Sequence, residues 1–346
     1  MGKKPVLAKE RVDRIGESVD QLVTLDVGGR EFIGTVYPAV RGRLGRPLCM
    51  YAAEKLKERV RPEDMVFICS GQLVYPVNLP ENDGPMGAAV LARALVLGLR
   101  AKPVIVADHA AVDVTRAACR GAGLNVVTVQ TLKATERAAS VVGFPVDEEE
   151  ASEEADALFD DLHPTAIVAI EVRGRNDKGV YHALPKGRNM NAVAAKMAVL
   201  FDKAKETGAL TIGIGDGGNE IGWGIVADVI RHEIPDADRC ACGCGGGIAD
   251  TTLVDVLVAA SVSNWGAYGV AACLSVLLGN PDVIHDERIE RRLLRECIDA
   301  GAVDGFSYLL EPKVDGLPED VDVGFVSILR QITSGSFGWA DLPAHA

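Results

Sequence analysis

Aromatic side chains make up only 5% of this chain, and its 36 Lys and Arg are outnumbered by 49 Asp and Glu, giving a formal charge of −13. Nucleic acid is bound through clustered basic residues and stacking aromatics, so both shortages argue against that partner. Nothing at the N-terminus reads as a signal peptide. No charge-free stretch supplies the ~20 continuous apolar residues of a membrane span. Val256 to Pro281 comes nearest, but Ser261-Val262-Ser263-Asn264-Trp265-Gly266 divides it into a short strand, a polar turn and a helix. A membrane partner is therefore not expected. There is no G-x-S-x-G elbow, no phosphate loop of the G-x₄-GK[ST] type, and no H-x₃-H or HExxH pairing among six histidines, which sets aside serine hydrolases, P-loop NTPases and a His-based metal site. The eight cysteines lie mostly singly in apolar runs, as in a reduced cytoplasmic protein. Cys240-Ala241-Cys242-Gly243-Cys244 departs from this, but single-residue spacers are not the paired C-x₂₋₄-C of structural zinc and no matching His or Cys pair follows, so no zinc site is expected there.

What is abundant is glycine, 37 residues, within a 48% apolar composition. Small residues suit close packing of helices on a sheet, and 346 residues allow two domains or one enlarged α/β domain. Short β-branched runs alternate with longer Ala- and Leu-rich amphipathic stretches. Strands are expected at Val66 to Cys69, Pro103 to Ala107, Asn125 to Val129, Ala166 to Ile170, Leu210 to Ile214 and Val254 to Ala259. Helices are expected at Met50 to Val60, Pro85 to Leu99, Val112 to Ala122, Asn191 to Thr207, Ala267 to Leu278 and Asp286 to Ala300. This predicts a Rossmann-like α/β fold with a mostly parallel sheet, helices on both faces, and ligands beyond the carboxyl ends of the strands. Residues 1–45 read as an approach segment with a Gly28-Gly29 turn and no chemistry. Residues 46–346 read as the α/β domain, with a subdivision conceivable near 147–163, where nine acids between Asp147 and Asp161 suggest a solvated face.

The strongest local signal is Gly213 to Gly224, six glycines in twelve residues directly after a predicted strand. Gly213, Gly215 and Gly218 satisfy G-x-G-x-x-G, the dinucleotide fingerprint. Asp216 and Glu220 would repel a pyrophosphate there. A divalent cation resolves the conflict, because Asp216, Asn219 and Glu220 offer the hard oxygens that Mg²⁺ or Mn²⁺ prefers. The plainer account is helix capping and a favourable first-turn charge. A second segment, Glu81-Asn82-Asp83-Gly84-Pro85, divides in the same way between an N-cap and a ligand site, with Ser70 and Gly71 at the same predicted sheet edge. Glu171 follows a buried strand, as functional acids do in doubly wound folds, though an ion pair with Arg173 or Arg175 accounts for it as well. Ser263 and Asn264 face the same choice between capping a helix and contacting substrate.

Four of these motifs together resemble the domain at the C-terminal end of D-glutamate cyclase, found also as a free-standing prokaryotic protein. They are Glu81-Asn82-Asp83-Gly84-Pro85, Ile170-Glu171 with Gly174-Arg175, Gly213 through Gly222, and Val262-Ser263-Asn264-Trp265-Gly266-Ala267-Tyr268, joined by the late Gly301 to Gly305 and Val314-Asp315-Gly316. The likeness covers about residues 10 to 335. Asn82 stands where the pattern often has Thr, and Cys240 to Gly247 looks like a local insertion. The vertebrate-type cyclase carries a further N-terminal domain related to hydro-lyases, and nothing here is long enough to be it.

The resemblance implies an enzyme that converts D-glutamate to 5-oxo-D-proline and water, or a Mn-dependent phosphatase acting on a small phosphate ester. A non-catalytic nucleotide-binding module is the third alternative. In the enzyme readings Glu171, Asp216 and Glu220 are catalytic, and Asp83, Asp216, Asn219 and Glu220 hold Mn²⁺ or Mg²⁺. Ser70, Asp83, Gly84, Arg175, Gly215, Gly217, Gly218 and Asn264 contact a small acidic substrate, whose carboxylate Arg175, or Lys186 and Arg188, would hold. Assembly with copies of itself, as a dimer or tetramer, is expected.

Overall fold

A computed structural model describes residues 9–184 and 186–338. Seven strands make one wholly parallel sheet: β1 (Met65–Ser70), β2 (Lys102–Asp108), β3 (Asn125–Val126), β4 (Ala138–Phe144), β5 (Ala166–Ile170), β6 (Leu210–Gly215) and β7 (Val256–Ala259). Their spatial order is β7-β6-β5-β1-β2-β4-β3. Strands buried on both faces read as unbroken apolar runs, as Val66-Phe67-Ile68 and Ala166 to Ile170 do. The chain leaves β1 toward β2 and later returns to lay β5 on its other side. The topological switch therefore falls between β1 and β5, where doubly wound sheets open a crevice at their carboxyl ends.

The Rossmann-like α/β expectation stands, and several elements match closely. Helix α4 (Pro85–Leu99) and strand β5 have the expected bounds, α3 (Leu48–Arg59), α5 (Val112–Gly121) and α11 (Glu287–Asp299) lie close to theirs, and α9 (Ala227–Glu233) follows the glycine-rich loop. The charge-free stretch divides into β7 and α10 (Ser263–Leu278), and among the described residues no helix is long and apolar enough to cross a membrane. Helix α7 (Glu148–Leu162) buries Ala151, Ala155, Phe159 and Leu162 and leaves its acids outward, with Asp147 capping its first turn through the Glu149 and Glu150 N–H groups.

Other expectations shift for identifiable reasons. Helix α8 starts at Ala198 rather than Asn191, because the preceding backbone is held otherwise: Ala195 N–H donates to Asp108 and the Asn191 side chain accepts from Tyr181 N–H. The strand expected through Val129 stops at Val126, and Thr128 caps a short helix, α6 (Val129–Lys133). Strand β4 is not expected from the sequence, since Ala138 to Gly143 contains only small and β-branched residues without alternation ahead of Phe144. Residues 9–45 of the expected approach segment form α1 (Lys9–Val23) and α2 (Phe32–Leu44), whose Val19, Val23, Ile33, Val36 and Val40 enter the same apolar core as the sheet. Helix α12 (Glu319–Gly338) stacks Phe325 on Trp265 of α10 with ring centroids 4.4 Å apart.

Candidate active site

Four strand exits converge at the switch point. β1 ends at Ser70 and leads to Gln72; β5 leads to Glu171; β6 leads to Asp216; and β7 leads, past Ser261, into the N-terminus of α10. Glu171 has φ 50°, in the left-handed region a non-glycine residue rarely occupies. That bend turns the chain back along the glycine-rich loop, with Gly174 N–H donating to Asn219 O at 2.8 Å and Ile221 N–H to Val172 O at 2.8 Å. Gly213 is required for this fold-back, because a Cβ there would lie 2.3 Å from the Ile221 carbonyl oxygen. Beyond the loop comes a short 3₁₀ turn, Trp223–Val226, and not the long helix whose N-terminus receives a pyrophosphate in a dinucleotide fold.

The carboxylates are held in detail. Asp83 accepts from the N–H groups of Ser263 (3.1 Å), Asn264 (2.8 Å) and Gly84 (3.0 Å), so it ties the start of α4 to the start of α10. Glu171 accepts from the Ser263 hydroxyl at 2.6 Å and from the Gln72 amide. Glu220 accepts from Gly218 N–H at 2.7 Å and Asp216 N–H at 3.4 Å, closing its own loop. Asp216 meets the Arg30 guanidinium at 3.0 Å, and Arg30 also pairs with Asp315 at 3.0 Å and donates to the Ser261 carbonyl.

These groups surround a cavity of about 460 Å³ whose wall includes Arg30, Gln72, Glu81, Glu171, Arg173, Asp216, Glu220 and Asp315, rimmed by Leu184, Phe306 and Tyr308. Counting Asp83 behind the wall, six carboxyls face two guanidiniums among the described residues. Burial raises the carboxyls first and mutual repulsion adds to it. Glu81 is pushed up to about 8 by burial and then Asp315, and Glu220 to about 8 by burial and then Asp216. Asp83, Glu171 and Asp216 also lie well above the carboxylate range, mainly from burial; Asp315 comes next for Asp83, Glu220 for Glu171, and Glu171 for Asp216. Arg30 moves the opposite way: burial works against its charge, but Asp216 and Asp315 outweigh it and hold the guanidinium above its ordinary value.

Ligand oxygens of Asp83, Glu171 and Asp216 all lie within 4.8 Å of one another, a group that could hold a metal ion. The donor set is all hard oxygen, and Glu81 Oε1, Gln72 Oε1 and Ser70 Oγ beside it are buried without hydrogen-bond partners among the described residues. A hard divalent cation suits such a site, since it both neutralises crowded carboxylates and accepts oxygen ligands.

Other residues singled out in the sequence have different placements. Asn219 lines the cavity but turns its amide N–H to the His182 carbonyl at 2.9 Å. The Asn264 side chain is used between helices, accepting from Gly84 and Gly87 N–H and donating to Asn82 O. Gly84 (φ 94°) packs so closely that a Cβ would come within 2.9 Å of Ser70 Oγ. Gly217 lines the cavity, whereas Gly215 and Gly218 do not. Arg175 is not at the cavity: its guanidinium pairs with Asp202 and Glu148 on the sheet's flank. Arg173 is there instead, buried, with Nε and Nη1 unpartnered among the described residues. Lys186 and Arg188 are exposed.

Sequence reasoning missed Arg30 by giving the first 45 residues no chemistry. The turn that delivers it is closed by the Asp26 carboxylate, which accepts from Arg30 and Glu31 N–H. Asp315 also went unassigned; buried Asp304 fixes its hairpin by accepting from Gly316 and Ser307 N–H, each at 2.7 Å. The paired Asp-Gly motifs Asp304-Gly305 and Asp315-Gly316 were the available signal.

The family described as D-glutamate cyclase-like, C-terminal, matches residues 19–330. This chain belongs to that family. Consistent with membership, the human protein named D-glutamate cyclase, mitochondrial, is 30% identical over 311 residues, which cover 81% of this chain and 47% of the relative. The chain thus spans about half the length of that relative.

Proposed function

We propose that this D-glutamate cyclase-like protein is a metal-dependent enzyme that closes D-glutamate to 5-oxo-D-proline with loss of water. The observation that carries the reading is the pairing, in one cavity at the sheet's switch point, of a three-carboxylate group with Arg173, whose Nε and Nη1 have no partner among the described residues. The name of the human relative supports the substrate. Asp83, Glu171 and Asp216 would hold Mn²⁺ or Mg²⁺, which supplies Lewis acidity to an otherwise unreactive γ-carboxylate. Arg173, at the cavity wall, would bind the α-carboxylate through its guanidinium. Ring closure forms the bond from the α-nitrogen to Cδ, the carbon of the γ-carboxylate, breaks one Cδ–O bond, and moves two protons from the ammonium to the departing oxygen, which leaves as water. Glu81 and Glu220, held near 8, are poised to pass those protons near neutral pH.

The phosphatase and nucleotide-module alternatives have less support. Both would need backbone donors in the glycine-rich loop, and the Asp216 and Gly218 N–H groups are already given to Glu220. The test is protein stripped of metal, resupplied with Mn²⁺ or Mg²⁺, and offered D-glutamate, L-glutamate and a phosphomonoester, with 5-oxoproline separated by chiral chromatography. Metal-dependent formation of 5-oxo-D-proline, lost in Asp216→Ala, is expected. Turnover of the phosphomonoester alone, or of nothing with any divalent cation, overturns the reading.

A further inference from the structure

The cysteine-rich insertion, set aside in the sequence because no partner histidine follows it, has one that precedes it by 58 residues. His182 Nε2 lies 3.4 Å from Cys240 Sγ, 3.4 Å from Cys242 Sγ and 3.7 Å from Cys244 Sγ. The sulfurs are 3.2 Å (Cys240 to Cys242) and 3.6 Å (Cys240 to Cys244) apart, and all four atoms fall within 4.8 Å of one another. Bond lengths of about 2.3 Å to sulfur and about 2.0–2.1 Å to nitrogen give a tetrahedron with edges of roughly 3.5–3.8 Å, which is the scale observed. The thiols are free, with sulfurs too far apart for a disulfide at about 2.05 Å.

Something must also hold this segment in place. Between Cys240 and Gly247 the side chains are three thiols and one methyl, the rest being glycine, and no helix or strand runs from 235 to 250. Such a stretch has little apolar area to offset the entropy of ordering its glycines. Gly243 (φ 86°) and Gly245 (φ 82°) coil the backbone so that alternate thiols turn to one point, and Gly187 admits Cys240, whose Cβ would lie 2.6 Å from an added Cβ. Around the cluster, Asn176 donates to Cys244 Sγ (3.5 Å) and Gly247 O (2.8 Å), and Gly246 N–H to Cys244 Sγ (3.4 Å), the kind of outer contacts that orient thiolate ligands.

We propose that His182, Cys240, Cys242 and Cys244 form a closed, four-coordinate structural site for Zn²⁺, chemically separate from the hard-oxygen group of the cavity. Binding releases the three thiol protons to solvent and leaves three thiolates and one neutral imidazole on the ion. The site fastens the 236–250 loop to the short hairpin His182–Ala183/Arg188–Asn189. That hairpin supplies Leu184 to the cavity rim and the His182 carbonyl to Asn219, so zinc fixes one wall of the active site without touching substrate.

The test is metal content and cobalt spectroscopy on the full chain. Wild-type protein purified without chelator should carry one zinc per chain, and Asp216→Asn should keep it. Cys242→Ser and His182→Gln should retain less than a tenth. Co²⁺ replacing zinc should give thiolate-to-cobalt charge transfer and intense visible tetrahedral bands. Three thiols should be shielded from a thiol reagent until the metal is displaced, and trypsin should cut at Arg239 at least tenfold faster once it is. Should the variants fail to fold, the wild-type cobalt spectrum and thiol protection decide alone. Zinc-free wild type with no cobalt charge transfer, an iron–sulfur spectrum, or a disulfide within the cluster each overturns the proposal.

Discussion

Arg30 is the residue on which the cavity's electrostatics turn, since it faces Asp216 and Asp315 with its side chain 31% exposed. Removing one partner of a largely buried pair leaves uncompensated charge. Arg30→Ala is therefore expected to cost on the order of 2 kcal/mol in chelator, and much less with saturating Mn²⁺, by denaturant titration. Equal losses with and without the cation would refute the idea that Arg30 and the metal share the work of neutralisation. The two nearby arginines separate cleanly in the same terms. Arg173→Ala should raise KM for D-glutamate more than tenfold, about 1.4 kcal/mol or more, whereas Arg175→Ala should leave KM within about twofold. Comparable KM changes in both would place Arg175 at the substrate as well. Here the sequence was ambiguous because Arg173 and Arg175 share a parity along an extended segment. What parts them is pairing: residue 173 bridges Glu220 and residue 175 bridges Tyr181.

At the scale of elements, function depends on the 171–175 segment lying against the glycine-rich loop. Gly174 makes this possible, as a Cβ there would sit 1.9 Å from Asp250 Oδ1, and Asp250 in turn accepts from Gly222 and Thr252 N–H. Gly174→Ala is expected to cost about 2–4 kcal/mol by forcing this buried contact apart, read as a lowered denaturation midpoint. A loss below about 0.5 kcal/mol would show that the segment is not packed as described. The strand ends were legible in the sequence because a buried parallel strand writes itself as a short apolar run, and the residue after it is then marked. β4 and the late start of α8 were not legible. In β4 no alternation distinguishes strand from buried helix, and at α8 side-chain hydrogen bonds from Asp108 and Asn191 override a helical pattern.

For the whole molecule, the crowded carboxyls couple stability to pH. Glu81 and Glu220 start from an ordinary value of 4.5 and are pushed up to about 8 in the folded chain, by burial first in each case. The native state thus binds protons that the unfolded state has released, and stability falls with rising pH. Their contribution is fully present below about 4.5 and lost through about 8, at most about 1.4 kcal/mol per pH unit for each proton. In chelator, melting temperature should decline across that window, and Glu220→Gln should flatten the decline. An equally steep Glu220→Gln profile would remove Glu220 from the account. Because the cation competes with those protons, Mn²⁺ should raise the melting temperature more at pH 8 than at pH 6. A gain independent of pH would place the ion away from these acids.

The amino-acid sequence by itself determined the α/β alternation, six of the seven sheet strands, half of the α-helices among the described residues, and the marking of Asp83, Glu171, Asp216 and Glu220 at strand ends and loops. Those are local properties, carried by hydrophobic period and by punctuation. Only the tertiary structure decided that Arg30 and Asp315, 285 residues apart, meet at Asp216, that Glu171 joins Asp83 in one oxygen cluster, and that His182 faces three thiols of a distant loop. The physical reason is that periodicity records which side of an element is buried. Which remote turns converge on a point is set by strand order and crossover connections.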